Sequence, residues 1–313
     1  MSLQLSPADA SHTNLHTQYW GARLWPSALS ILARRLLHPV RPRNVEKKPE
    51  KAEDIIRSFV HRFDTTNLPS IWDPELESLC MKEVERRGYA LEPLQPYLET
   101  RLNLAASAYH HVDNVNVKVY IAIYTAFAIY FDDTYPDDTD ALAGVPKFYQ
   151  EKQPTKMLDD FAGVLAEASQ LFGEVTADFI IQAVLKFMTA LILETRSRSE
   201  PTKVDKYAIF LRELSGIAEG YAAFISPASC LSFYKEEADG ENYNFVSMLA
   251  EANDEPKTKT LHNIVGKCMD TDERVALILS PHKDAHRMYQ EFVKGYLAYH
   301  LGAKRYRLDE LKI

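Results

Sequence analysis

Glycine is scarce in this 313-residue chain, at 11 residues, and Asn-Gly or Gly-Gly turn signals are few. An all-β fold needs such turns between its short strands, so the scarcity argues against one. Cysteine is scarcer still. Cys80, Cys230 and Cys268 lie far apart and fit neither a zinc pattern nor a disulfide framework, so they read as reduced thiols in an intracellular protein. Positive charge is in deficit, with 36 lysines and arginines against 44 aspartates and glutamates and a net charge of −8. No long basic run offsets that balance, and nucleic acid is not an expected partner. No stretch reaches the ~18 uninterrupted apolar residues of a membrane helix, so no membrane span is expected. The most apolar run, VYIAIYTAFAIYF at 119–131, ends in aspartates and reads as a buried core helix.

Aromatic residues are abundant, with 17 Tyr and 14 Phe, as suits a large apolar interior or pocket. From residue 51 onward apolar residues recur at spacings of three and four, and no alternation of strand type persists. Helices are expected in EKAEDIIRSFVHRF, PELESLCMKEVERRGYAL, LQPYLETRLNLAASAYHH, around 115–131, in KMLDDFAGVLAEASQLFG and in TADFIIQAVLKFMTALILETR. Further ones follow in DKYAIFLRELSGIAEGYAAFI, TKTLHNIVGKCMDTDERVALIL and DAHRMYQEFVKGYLAYHLGAKRY. The chain therefore reads as one all-α domain of about ten helices over 51–313. Residues 1–50 differ, being rich in Arg, Lys and Pro and poor in acids. They read as a poorly ordered extension, with an organelle-targeting peptide as the alternative. The expected location is otherwise cytoplasmic.

Three elements bear chemistry. FDDTYPDD sets Asp132, Asp133, Asp137 and Asp138 at the C-terminal end of the most apolar helix, where the helix dipole disfavours carboxylates. Two adjacent aspartates there invite a cation, and oxygen-only ligands suit magnesium before zinc. A solvated acidic turn explains the motif equally well. Ser232 and Glu236 are one helical turn apart and could offer a hydroxyl and a carboxylate to a second cation, with Lys235 beside them for a phosphate. Arg305 and Tyr306 close a long aromatic helix, and their donors suit diphosphate oxygens, although a basic helix end also complements the dipole. His282 and His286, and the pair His110-His111, read as surface histidines.

Taken together, these segments resemble class I terpene cyclases, and within them the fungal trichodiene synthase group. FDDTYPDD is similar to the family's aspartate-rich motif, here spaced DDxxxDD, and LSFYKEE to the second half of its Asn-Asp-x-x-Ser-x-x-x-Glu motif. KYAIFLRELSG looks like the segment with the diphosphate-sensing arginine, which would be Arg212. GYLAYHLGAKRYRLDEL resembles the closing helix with its Arg-Tyr pair. The resemblance implies an isoprenoid-synthase helical bundle around an apolar pocket. It implies magnesium, three ions, bound by Asp132 on one side and by Ser232 and Glu236 on the other, with Asp133 pairing instead with a basic residue. Arg212, Lys235, Arg305 and Tyr306 would bind the diphosphate of farnesyl diphosphate, whose ionisation and cyclisation would yield a sesquiterpene. Tyr124, Phe127, Phe131 and Tyr296 are candidates for the aromatic wall. A homodimer is a further expectation.

The chain departs from the family in one place. Ala228 and Ser229 stand where the second motif has Asn and Asp. Only 20 residues separate Arg212 from Ser232, where the family inserts a further helix. The deficit is roughly 25 residues, or about 38 Å of helix. Either an internal segment is absent from this sequence or a divergent relative has lost the helix. Impaired catalysis is expected in both cases. A prenyl chain-elongating enzyme would need a second DDxxD motif, which is absent; a non-catalytic isoprenoid- or partner-binding protein is the alternative outside the enzymes.

Overall fold

Helix signals written in the sequence explain most element boundaries of the computed structural model, which describes residues 51–89, 91–135, 153, 155–199, 204–215, 233–241 and 243–311. In α1 (Ala52–Val60) Ile55, Ile56, Phe59 and Val60 form one buried stripe. The next helix, α2 (Pro74–Arg87), starts where the Asp73 side chain accepts from the Glu75 and Leu76 amides, and it stops at Gly88, whose φ of 66° favours glycine. Then come α3 (Leu91–Ser107) and α4 (Val115–Thr134), the latter capped by Asn114. Thr155 caps α5 (Lys156–Phe172), which leads through Gly173 into α6 (Glu174–Ser199). The remaining helices are α7 (Asp205–Ser215), α8 (233–238), α9 (Phe245–Ala252), α10 (Lys257–Leu279) and α11 (Lys283–Gly302). Two short 3-10 turns, Lys304–Tyr306 and Leu308–Leu311, complete the described chain. No strand occurs among the described residues, and the fold is all-α as expected.

The expected extension over 1–50 lies outside the described residues, as do Asp137, Asp138, Cys230 and Ser232. The helix expected to run from Asp205 to Ile225 is described as far as Ser215.

The most apolar helix, α4, takes the central place. It packs against α2, α3 and α5, and ten of its residues are buried. Tyr124, Phe127 and Phe131 belong to that core: each is at most 3% exposed, and the rings of Phe127 and Phe131 pack on Phe161 from α5. Among the described residues their neighbours are other core side chains, as suits a helix this apolar. By length and composition α4 and the 174–197 part of α6 could each cross a membrane; here both pack within the bundle. A second apolar cluster joins α1, Phe233 of α8, α9, α10 and the closing turns, and a third joins α3 to α11. Cys80 and Cys268 are free thiols in these cores, and burial pushes the Cys80 thiol up to about 12.

His110 and His111 are half-buried rather than at an exposed helix edge. They follow the end of α3 beneath α11, where His110 Nδ1 donates to the Ser107 carbonyl oxygen at 2.7 Å and Nε2 meets Glu291 at 2.9 Å. Burial and the neighbouring His110 hold His111 down at about 4.

Candidate active site

Asp132 and Asp133 lie in the last turn of α4. Solvent reaches Asp132, yet protein surrounds it closely enough that burial is the main cause of its raised pKa, with the Asp133 charge adding to it. Arg305, Arg101 and Arg212 pull the other way. Asp133 pairs with Arg305 at 3.7 Å, so the expectation that it meets a basic residue holds in this structure.

The opposite side comes from α8. Glu236 is half-buried and its pKa rises to about 7, chiefly through burial and then through Glu241. Asp132 raises it further, while Arg212 and Lys235 oppose the shift. Two carboxylates 104 residues apart in the chain thus share one field, and Arg212 acts on both. Arg212 is in the last turn of α7, and its Nε has no hydrogen-bond partner among the described residues.

The helix carrying Arg305 and Tyr306 ends earlier than its sequence pattern suggests. At Gly302 an added Cβ would crowd Ile71, Ala303 turns extended, and the pair sits in a 3-10 turn. Burial works against the Arg305 charge, but Tyr306, Asp133, Tyr299 and Asp132 outweigh it and hold the guanidinium above its ordinary value. The Tyr306 ring packs on His300 with centroids 4.3 Å apart. Tyr296 is half-buried and packs on the other side of His300, also at 4.3 Å. Burial and the phenols of Tyr306 and Tyr299 raise the Tyr296 pKa, whereas Arg212 lowers it, so Tyr296 lies within reach of the charged groups.

Lys235 departs from its expected direction. It pairs with Glu241 at 3.0 Å and approaches Asp239 at 3.9 Å, within its own segment. Ser232 lies outside the described residues.

Two buried groups behind the site escaped the sequence reading. Arg101 is 2% exposed and donates from Nη1 to the Tyr299 hydroxyl, while its charge bears on Asp132. His300 is 1% exposed, its Nδ1 donates to the Tyr296 carbonyl oxygen, and burial lowers it to about 4, so the ring is neutral at pH 7. The available signal was an arginine on the apolar face of α3.

Chemically, these residues offer carboxylate oxygens from two helices and guanidinium groups whose charges bear on them. Such a set suits a hard divalent cation together with a polyanion. Among the described residues no three acidic, histidine or cysteine side chains form a metal-binding group by themselves. A surface hollow on α1 is lined by Asp54, Arg57, Ser58, His61 and Arg62, and by none of these groups.

No family model matches the chain. Terpene synthase BipA of Cochliobolus sativus is 30% identical over 268 residues, covering 75% of this chain and 82% of that protein. The chain belongs to the terpene synthases. Alpha-cuprenene synthase COP6 of Coprinopsis cinerea is 28% identical to this terpene synthase over 288 residues, covering 82% of it and 89% of the relative. Monoterpene synthase 25 of Postia placenta is 29% identical over 297 residues, covering 83% and 86%. Each alignment is longer than the stretch of this terpene synthase that it covers. For the alpha-cuprenene synthase, 82% of 313 residues is about 257, so about 31 of the 288 aligned positions face no residue here.

Proposed function

We propose that this terpene synthase binds a prenyl diphosphate with magnesium and directs ionisation and cyclisation of the allylic chain, within the trichodiene synthase group. The observation that carries the reading is the shared field of Asp132 and Glu236, with Arg212 acting on both and Arg305 bearing on Asp132. The raised pKa of each acid is what enclosed carboxylates show when no cation neutralises them.

Asp132, Glu236 and Ser232 would hold magnesium, which when bound supplies Lewis-acid neutralisation of the diphosphate oxygens. Arg212 and Arg305 would donate to those oxygens as the C–O bond lengthens and negative charge grows on the leaving group. The Tyr306 hydroxyl would donate beside Arg305, and Lys235 would join by exchanging Glu241 for the diphosphate. Tyr296 presents an aromatic face for the hydrocarbon cation, backed by neutral His300, which adds no competing positive charge. Farnesyl diphosphate is the proposed substrate. One relative is named for a monoterpene, so geranyl diphosphate is the comparison that matters.

Catalysis by this chain is proposed to be impaired. The aligned positions that face no residue here, together with Ala228 and Ser229 in the second motif, support the loss of one internal helix and with it part of the metal site. The same observation favours a second reading, a non-catalytic isoprenoid-binding descendant of a cyclase.

Calorimetry with a non-hydrolysable farnesyl diphosphate analogue, with and without magnesium, tests the proposal. We expect magnesium-dependent binding, tighter than for the geranyl analogue, with weak or no turnover of the true substrate. Binding indifferent to magnesium would favour the non-catalytic reading. Robust turnover would refute the impairment.

A further inference from the structure

Lys235 and Glu236 come from α8, whereas Arg305 and Tyr306 come from the closing 3-10 turn, and nothing in the backbone links them locally. What links them is a small polar junction on the rim. Arg307 Nη1 donates to Asp239 at 3.0 Å, while its Nε and Nη2 donate to the two oxygens of Glu310 at 2.7 and 3.3 Å. The Tyr234 hydroxyl donates to Glu310 at 3.2 Å. Asp239 uses its other oxygen toward Lys235, at 3.9 Å, so one carboxylate touches a cation from each side.

The backbone at Arg307 marks this junction as built. Its φ is 57° and ψ 20°, the left-handed conformation that costs an L-residue about 1 kcal/mol and that glycine would adopt without strain. An arginine here is useful only through its side chain, and the side chain is engaged at every donor position just described. Beneath the junction, Phe233, Leu308 and Leu311 share one apolar cluster, and Arg57 from α1 donates to the Leu311 carbonyl oxygen at 2.9 Å. Packing brings the two segments together, and the polar junction sets their register. Exposed ion pairs of this kind add little to stability, so their contribution is to geometry rather than to folding.

We propose that Asp239 and Arg307 are positioning residues that lock the turn presenting Arg305 and Tyr306 to the helix presenting Lys235 and Glu236. The consequence for ligand binding rests on the proposed diphosphate reading of those four residues. Breaking the pair leaves each donor in place but frees the two sides to move independently.

The test uses the full chain and three variants: Asp239→Ala, Arg307→Ala, and the double Asp239→Ala/Arg307→Ala. In the ligand-free protein, hydrogen exchange across 304–311 is expected to quicken about fivefold in either single variant, the effect of one lost exposed pair, and no further in the double variant, where the same pair is already broken. Calorimetry with inorganic diphosphate and magnesium is expected to show about fivefold weaker binding in each single variant and no added loss in the double variant. If Arg307 instead contacted diphosphate itself, the losses would add in the double variant, and the proposal would fall. Unchanged exchange and affinity in both single variants would overturn it equally. Quickened exchange alongside a wild type that binds no diphosphate would overturn the reading of the site and leave the coupling of the two segments standing.

Discussion

Glu236 is a carboxyl group that folding moves away from water toward other acids, so the folded chain holds its proton more tightly than the unfolded chain does. Its pKa rises from 4.5 to about 7. The stability linked to this group is therefore complete below about 4.5 and is lost as pH rises through about 7. Asp132 shifts in the same direction for the same main reason. On the proposed reading magnesium would bind the ionised forms, so its affinity and its stabilising effect should grow from pH 6 to pH 8. Thermal unfolding across that range, with and without magnesium, checks this, and a magnesium effect that does not change with pH would count against it. Glu236→Gln should raise the metal-free midpoint at pH 8 by about 2–4 °C and weaken magnesium-dependent diphosphate binding at least about tenfold. The acids themselves were legible in the sequence, because carboxylates at the C-terminal end of an apolar helix are unfavourable without a cation. Their mutual field was not, since it depends on α4 and α8 meeting.

At the scale of the element, the contact between α3 and α11 supports one wall of the site. Glu291, Gly295 and Tyr299 are spaced at four along α11 and form a stripe facing α3 and the turn after it. Glu291 pairs with His110, and Tyr299 accepts from Arg101. Between them, a Cβ on Gly295 would overlap the backbone carbonyl of Ser107, so the two backbones touch where a side chain has no room. Gly295→Ala gains about 1 kcal/mol in helix propensity but must push a backbone aside, and we expect a net destabilisation of about 1–3 kcal/mol in urea unfolding. A neutral or stabilising result would show that the helices can separate without loss. The periodicity of both helices was readable in the sequence. That α3 would bury an arginine and α11 a histidine behind the site was not, because an apolar stripe does not say which helix covers it.

For the whole molecule, the decisive quantity is length. By the resemblance, roughly 25 residues, a helix of about 38 Å, would separate this chain from a complete second metal motif. If the helix is missing from the sequence rather than from the protein, coding sequence for an amphipathic helix ending in Asn-Asp should occur in frame between the codons for Ser226 and Leu231. Sequencing the transcript across that join checks this, and an uninterrupted transcript would establish a divergent chain. Supplying such a segment should then restore turnover of farnesyl diphosphate.

The all-α class, the burial of α4, the acidic end of that helix and the terpene synthase family followed from the sequence, since each depends on the order and spacing of residues along the chain. Tertiary structure alone decided which side chains confront one another. It placed Arg101 and His300 behind the site, left Tyr124, Phe127 and Phe131 in the closed core, and turned Lys235 toward Glu241. The physical reason is that burial and electrostatic coupling are set by contacts between distant segments, to which local periodicity is blind.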